Sequence, residues 1–148
     1  MKNIKPEKQN VVVVGSGMTG LETAEELVEQ YNNVTIIEMA RDLAPGTWFQ
    51  LKEDSLERIS KGEAKFMTDY KLVEVKDDGV IVESVKKKNR KTIPADMVVL
   101  AMGVRPVKNL YDELKSSKMK IALAGDAQKS GTIAHAVRGG YDAALSIK

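Results

Sequence analysis

"VVVVGSGMTGLETAEELVEQYNNVTIIEM", residues 11–39, decides how this chain folds. Four valines run straight into a turn with glycines at positions 15, 17 and 20. A continuous β-branched run ended by glycine predicts a buried strand over residues 10–14. A helix follows, from residue 18 to about residue 31. Leu21, Ala24, Leu27 and Val28 fall three and four apart, while Glu22, Glu25, Glu26 and Glu29 lie mostly on the other side. Residues 33–39 then predict a second buried strand. Strand, helix and strand within about thirty residues make a βαβ unit, which requires parallel strands and a right-handed crossover.

Outward from this unit the pattern changes. Residues 1–9 are polar and predict a flexible lead-in. Pro45 and Gly46 break the chain, and residues 48–60 predict a modest helix. "KFMTDYKLVEV", "GVIVES" and "RKTIPA" are short alternating segments divided by "KDDG" and "KKKN", which predicts an antiparallel three-strand excursion. The charge run "KKKNRK" reads as a solvated hairpin tip. "MVVLAM", residues 97–102, returns to a buried parallel strand and stops at Gly103. Residues 106–118 are a polar connection with one helical turn around residues 111–114. "KIALAGDA" predicts one more buried strand, and "GTIAHAVRGGYDAALSIK" a closing helix weakened at Gly139 and Gly140. The expected fold is α/β: a Rossmann-like parallel sheet with helices on both faces and an antiparallel three-strand excursion. Residues 10–148 are expected to form a single dinucleotide-binding domain.

Composition narrows the chemistry. At 148 residues, 43% hydrophobic and 30% charged, the chain has globular values and can bury a core. A net charge of +2 gives no argument for nucleic acid or an anionic membrane surface as a partner. No apolar run has transmembrane length and no signal-peptide pattern is present, so a cytoplasmic location is expected. Cysteine is absent, which excludes thiolate catalysis, a redox Cys pair and cysteine-held iron–sulfur clusters in this chain. The single histidine, His135, sits among Ala134, Ala136 and Val137 and reads as a packed or partly exposed residue. No metal ligand set and no catalytic acid–base set stands out. Redox chemistry would have to be carried by an organic cofactor.

The glycine turn has the context such a cofactor needs. It follows a strand, opens a helix, and is answered by Glu38 at the end of the next strand about twenty residues on. Gly15 permits the sharp turn. Gly17, without a Cβ, lets a pyrophosphate approach the backbone. Gly20 lets the helix pack closely on the sheet. The N–H groups of the first helical turn, residues Ser16, Met18 and Thr19 among them, face the phosphates with the helix dipole behind them. Glu38 accepts hydrogen bonds from the adenosine ribose, and its charge repels a 2′-phosphate. That favours NADH over NADPH, unless nearby Arg41 pairs with the phosphate instead. The plain alternative is a tight strand-to-helix turn that binds nothing.

These residues carry a resemblance. "VVVVGSGMTGLETAEEL" is similar to the NAD(P)H-binding segment of pyridine-nucleotide-dependent flavoprotein oxidoreductases. "ADMVVLAMGVRP" resembles the strand and turn where the chain leaves the NADH domain. "KIALAGDAQKSGTIAHAVRGGYDAALSI" resembles the closing segment that re-enters the FAD domain. The subgroup most resembled is the C-terminal part of the 2-enoate reductase, 2,4-dienoyl-CoA reductase and trimethylamine dehydrogenase-like group, relatives of old yellow enzyme. The resemblance implies roles for further residues: Glu22 near the nicotinamide, Gly103 beside the dinucleotide, and Gly125 with Asp126 against the flavin's ribityl–pyrophosphate portion. Taken alone, Glu22 is equally an exposed helix glutamate, and Gly103 and Gly125–Asp126 are equally strand-ending turns. The group's FMN barrel, cysteine-held cluster and first FAD-binding half have no counterpart here, so an FAD site in this chain would be incomplete. Within residues 10–148 the resemblance marks residues 10–105 as like an NADH domain and 119–148 as the closing FAD-side strand and helix.

The expectation is therefore an NADH-binding domain that presents its nicotinamide to a flavin held by another domain or subunit, with little or no turnover alone. Two other classes stay open. One is a stand-alone module that binds FAD or another adenine nucleotide and regulates a partner. The other is a structural interaction domain with an empty glycine turn.

Overall fold

The computed structural model describes residues 7–147. The expected lead-in falls mostly on residues 1–6, outside the described residues. Gln9 is already tied down: its N–H donates to the Asn32 side chain at 3.1 Å, and its carbonyl accepts from Asn33 N–H at 2.8 Å. The chain forms two compact units, divided after Gly103.

The first unit holds the βαβ core. Strand β1 (Asn10–Val14), helix α1 (Met18–Glu29) and strand β2 (Asn33–Ile37) follow one another as the periodicity requires. Helix α2 (Phe49–Lys61) and strand β3 (Lys65–Met67) come next. Strands β4 (Tyr70–Lys76), β5 (Gly79–Ser84) and β6 (Arg90–Pro94) form an antiparallel sheet in that order. Strand β7 (Met97–Leu100) then returns beside β1. The parallel sheet has the order β3-β2-β1-β7, so β1 is flanked on both sides, with Val13 opposite Ile36 and Val99.

A strand's side chains alternate between faces, and the valine run uses both. Val11 and Val13, with Val34 and Ile36, pack against Leu21, Ala24 and Leu27 of α1 and Ile59 of α2. Val12, Val14 and Ile37 pack instead against Val80 and Val82 of β5. Arg58 of α2 pairs with Glu25 of α1, which pins the two helices together at the rim.

The expected fold class is present: a Rossmann-like α/β unit with a parallel sheet and a separate three-stranded antiparallel sheet. Within the first unit the antiparallel sheet packs on the parallel one, because Val80 and Val82 supply apolar surface against Val12 and Val14. Two details differ from expectation. "KFMTDYKLVEV" is two strands rather than one. Asp69 takes a left-handed conformation, φ 60°, that breaks the run, so Lys65–Met67 joins the parallel sheet beside β2 and only Tyr70–Lys76 enters the hairpins. "KIALAGDA" is not a strand. Residues 121–124 are irregular and end in a single 3-10 turn, Gly125–Ala127. A strand needs a ladder partner for its backbone groups, and the described residues of the second unit contain none.

That second unit holds helix α3 (Asn109–Leu114), the 3-10 turn and helix α4 (Ile133–Ser146). The last helix runs unbroken through Gly139 and Gly140, each of which costs about 1 kcal/mol against alanine. Its first turn is secured by Thr132, whose N–H donates to His135 Nδ1 at 3.3 Å.

Leu21 is wholly buried where α1 meets the sheet, while Leu51 on α2 is exposed. Leu21→Ala is expected to lower the unfolding free energy by about 2–5 kcal/mol, and Leu51→Ala by less than about 0.5 kcal/mol. Urea titrations checking this should show a shifted midpoint at unchanged slope.

Candidate functional site: a glycine turn and its carboxylate

The carboxyl ends of β1 and β2 and the start of α1 converge on the glycine turn. Gly15 has φ 103°, a left-handed conformation that side chains rarely adopt, and its N–H donates to the Ile37 carbonyl at 2.8 Å. A Cβ on Gly15 would collide with the Ala101 carbonyl, and one on Gly20 with the Gly15 carbonyl. Both glycines are therefore demanded by packing: α1 sits directly on the turn. Gly17 is different. Its φ of −62° suits any residue, and a Cβ there would meet no protein atom within 4 Å. No packing contact or backbone angle demands a glycine at 17, and the missing Cβ leaves the backbone open to a ligand.

Gly17 is the N-cap of α1 and offers no side chain to its first-turn N–H groups. The N–H groups of Met18, Thr19 and Gly20 lack intrahelical acceptors by the geometry of a helix start. No acidic residue stands in that turn. The result is an uncapped positive helix end opening above a backbone without a Cβ, the arrangement that suits an anion such as a pyrophosphate.

Glu38 closes the other side. Its Oε2 accepts from Ser16 N–H at 2.9 Å and from the Ser16 hydroxyl at 2.7 Å, and its Oε1 accepts from Ala40 N–H at 2.8 Å. Burial pushes this carboxyl up, but the bonds from Ala40, from the Ser16 hydroxyl and N–H, and from Met39 outweigh it and hold Glu38 below the ordinary glutamate value. At neutral pH it is a carboxylate. The backbone of Glu38 is fixed as well, by its N–H to the Met67 carbonyl at 2.9 Å and its carbonyl to Tyr70 N–H at 3.0 Å.

The turn residues 15–20 and Glu38 therefore come together in one place. The Ser16 side chain points inward, fully buried, with its hydroxyl committed to Glu38. Thr19 and Glu22 are exposed on α1, and Arg41 is exposed just beyond Glu38. Gly103, with φ 81° and open space around it, ends the first unit. Gly125 and Asp126 belong to the second unit, where Asp126 Oδ1 accepts from Gly131 N–H at 3.2 Å and Gly125 has φ 58°. His135 is exposed and caps its own helix. Sequence reasoning missed Ala40 and Ala44, whose backbone N–H groups complete the Glu38 surroundings. Main-chain donors in a loop leave no side-chain signature, and only the break at Pro45–Gly46 marks the bend.

A parallel sheet with this turn at the end of its central strand, answered by a carboxylate at the end of the next, defines a Rossmann-type nucleotide-binding domain. Residues 2–131 match the family described as pyridine nucleotide-disulphide oxidoreductase. The chain belongs to that family of flavoprotein oxidoreductases, which use FAD and NAD(P)H in general. It is 34% identical over 140 residues to an NADH oxidase of Thermoanaerobacter brockii, a match covering 94% of this chain and 21% of that protein. It is 33% identical over 137 residues to a bilirubin reductase of Mediterraneibacter gnavus, covering 90% of this chain and 21% of that one. Among solved structures, a 2-naphthoyl-CoA reductase complex superposes with a TM-score of 0.76 at 25% identity, over 94% of this chain and 21% of its own. A thioredoxin reductase of T. acidophilum shares the fold, with a TM-score of 0.67 at 24% identity over 95% of this chain and 52% of its own. The chain thus spans about a fifth of the length of the NADH oxidase and the bilirubin reductase.

Gly17→Ala is expected to change stability by less than about 1 kcal/mol, because its backbone angles and surroundings accept a methyl. Gly20→Ala is expected to cost at least about 2 kcal/mol, through the collision with the Gly15 carbonyl. Urea unfolding of both variants checks the contrast. Because the folded Glu38 value lies below the ordinary 4.5, its contribution to stability is whole above that pH and is lost as pH falls through the lower folded value. An acid titration of Glu38→Gln should lack that part of the loss.

Proposed function

We propose that this chain is the NADH-binding domain of a flavin-dependent oxidoreductase, of the kind represented by 2-enoate reductases and NADH oxidases. It would position the nicotinamide for hydride transfer to a flavin bound by another domain or subunit. The observation that carries the reading is the pairing of an open backbone at Gly17 with a fixed Glu38 carboxylate across the same turn. The first fits a pyrophosphate. The second fits a ribose diol and opposes a 2′-phosphate.

A bound NADH would supply the hydride, and a flavin held by another domain would supply the onward redox chemistry, toward a substrate such as an activated alkene. The protein's own contribution in this domain is binding and orientation, which needs no acid or base. First-turn N–H groups 18–20 take the phosphates, Gly17 admits them, and Glu38 fixes the adenosine end. Glu22, on the same face of α1 one turn on, and Gly103 at the end of the first unit are proposed to border the nicotinamide half. Gly125 and Asp126 are proposed as this chain's share of the flavin site.

A flavin-bearing partner is supported by α4. Ile133, Val137, Tyr141 and Leu145 recur every four residues, so they lie along one side of the helix, and all four are exposed. A covering domain would bury that ridge. No helix among the described residues is long and apolar enough to cross a membrane, and a cytoplasmic location is proposed with the rest.

Calorimetric titration of the chain with NADH, NADPH and FAD tests the reading. NADH should bind at about micromolar affinity, NADPH more weakly, and FAD not at all. Gly17→Ala should weaken NADH binding at least about tenfold at nearly unchanged stability. Tight FAD binding would point to a regulatory nucleotide module, and failure to bind any of the three to a structural domain.

A further inference from the structure

Resting on the NADH reading above, we propose that Ser16 is a positioning residue for dinucleotide selectivity: its hydroxyl locks the Glu38 carboxylate and the segment carrying Arg41 into one arrangement. Ser16 is fully buried, and its hydroxyl makes two bonds of opposite sense. It donates to Glu38 Oε2 at 2.7 Å and accepts from Ala44 N–H at 2.9 Å. No ligand can reach that hydroxyl for a direct contact, so any effect of Ser16 on binding passes through the groups it holds.

Those groups are the two that decide between a ribose diol and a 2′-phosphate. Glu38 carries the negative charge, and Arg41 is the nearby cation in the sequence that could answer a phosphate. Arg41 lies between the two anchor points, three residues after Glu38 and three before Ala44. At one end the segment is held by Ala40 N–H on Glu38 Oε1 at 2.8 Å. At the other, Ala44 is 2% exposed and left-handed, with φ 47°. An alanine enters that conformation at a cost, so something must hold it there. The bond from its N–H to Ser16 Oγ does so together with core packing and the bond its carbonyl accepts from Thr47 N–H at 3.1 Å.

The carboxylate's capacity sharpens the argument. An ionised carboxylate offers about four lone-pair sites. Ser16 takes two on Oε2, Ala40 takes one on Oε1, and the Met39 N–H also bonds the carboxylate. Little capacity is left, so the carboxylate meets a ribose hydroxyl in a usable geometry only while it keeps this rotation. Removing the Ser16 hydroxyl frees Oε2 from one donor, strands the buried Ala44 N–H and releases the Arg41 segment. The ribose contact weakens while a 2′-phosphate gains a cation free to approach it.

The test compares NADH and NADPH affinities, by calorimetry, for the full 148-residue chain and for Ser16→Ala, Glu38→Gln and the double variant. Ser16→Ala should lower the NADH-to-NADPH affinity ratio about tenfold, the loss of one charge-assisted hydrogen bond. A merely structural role would weaken both nucleotides equally. In the Glu38→Gln background, Ser16→Ala should lower the ratio by less than it does in the unaltered chain, since the part that runs through the Glu38 charge is already gone and only the release of the Arg41 segment remains. An unchanged ratio in Ser16→Ala, or an equal further drop in the double variant, overturns the proposal while leaving the NADH site standing. If the unaltered chain binds neither nucleotide, the NADH reading itself falls and this inference with it. Circular dichroism and urea unfolding of each variant confirm that a folded protein was measured.

Discussion

The structure depends on how closely α1 sits on the end of β1. Gly20 lies against the Gly15 carbonyl, and Gly15 against the Ala101 carbonyl, with no room for a Cβ at either place. Backbone meets backbone at the turn, β1 is drawn between β2 and β7, and the start of the helix is aimed outward past the strand ends. A methyl at Gly15 or Gly20 would push the helix away and misdirect its N–H groups. Of the three turn glycines, Gly17 alone is free of this constraint.

Glu38 extends that geometry sideways. Its side chain ties the turn at Ser16 to the segment after β2, and its backbone ties β2 to Met67 and Tyr70 on the far side. The same residue thus joins the parallel sheet, the glycine turn and the start of the antiparallel excursion. Donors surround a carboxylate that stays ionised despite partial burial, so its charge is a fixed property of the site. A positive helix end beside a fixed negative charge is the pairing that the proposed ligand, with phosphates at one point and a neutral diol at another, would use.

The two sheet faces are divided between partners of different kinds. Odd-numbered valines of β1 serve the helices, and even-numbered ones serve β5. The central strand is buried on both sides as a result, which holds the glycine turn rigid from below. Mobility would be costly at this point, because a ligand held by main-chain N–H groups needs them within a few tenths of an ångström of their ideal places.

Much of this was legible in the sequence. The valine run, the glycine spacing and the apolar stripe of α1 are local patterns, and they determined the βαβ unit, the turn and Glu38 at its rim. What the sequence could not display were relations between distant segments. The break at Asp69, which sends Lys65–Met67 to a different sheet from Tyr70–Lys76, depends on the neighbouring edge of β2. The antiparallel sheet covers the second face because Val80 and Val82 fit Val12 and Val14, a match between residues almost seventy positions apart. "KIALAGDA" has a strand's composition, but the described residues of its own unit form no strand to complete a ladder. The burial of Ser16 between Glu38 and Ala44 likewise appears only when the loop folds back over the turn. Periodicity and glycine spacing act within one element, so the chain announces them. Pairing, coverage and the orientation of a buried hydroxyl are set by contacts between elements, and tertiary structure alone decides those.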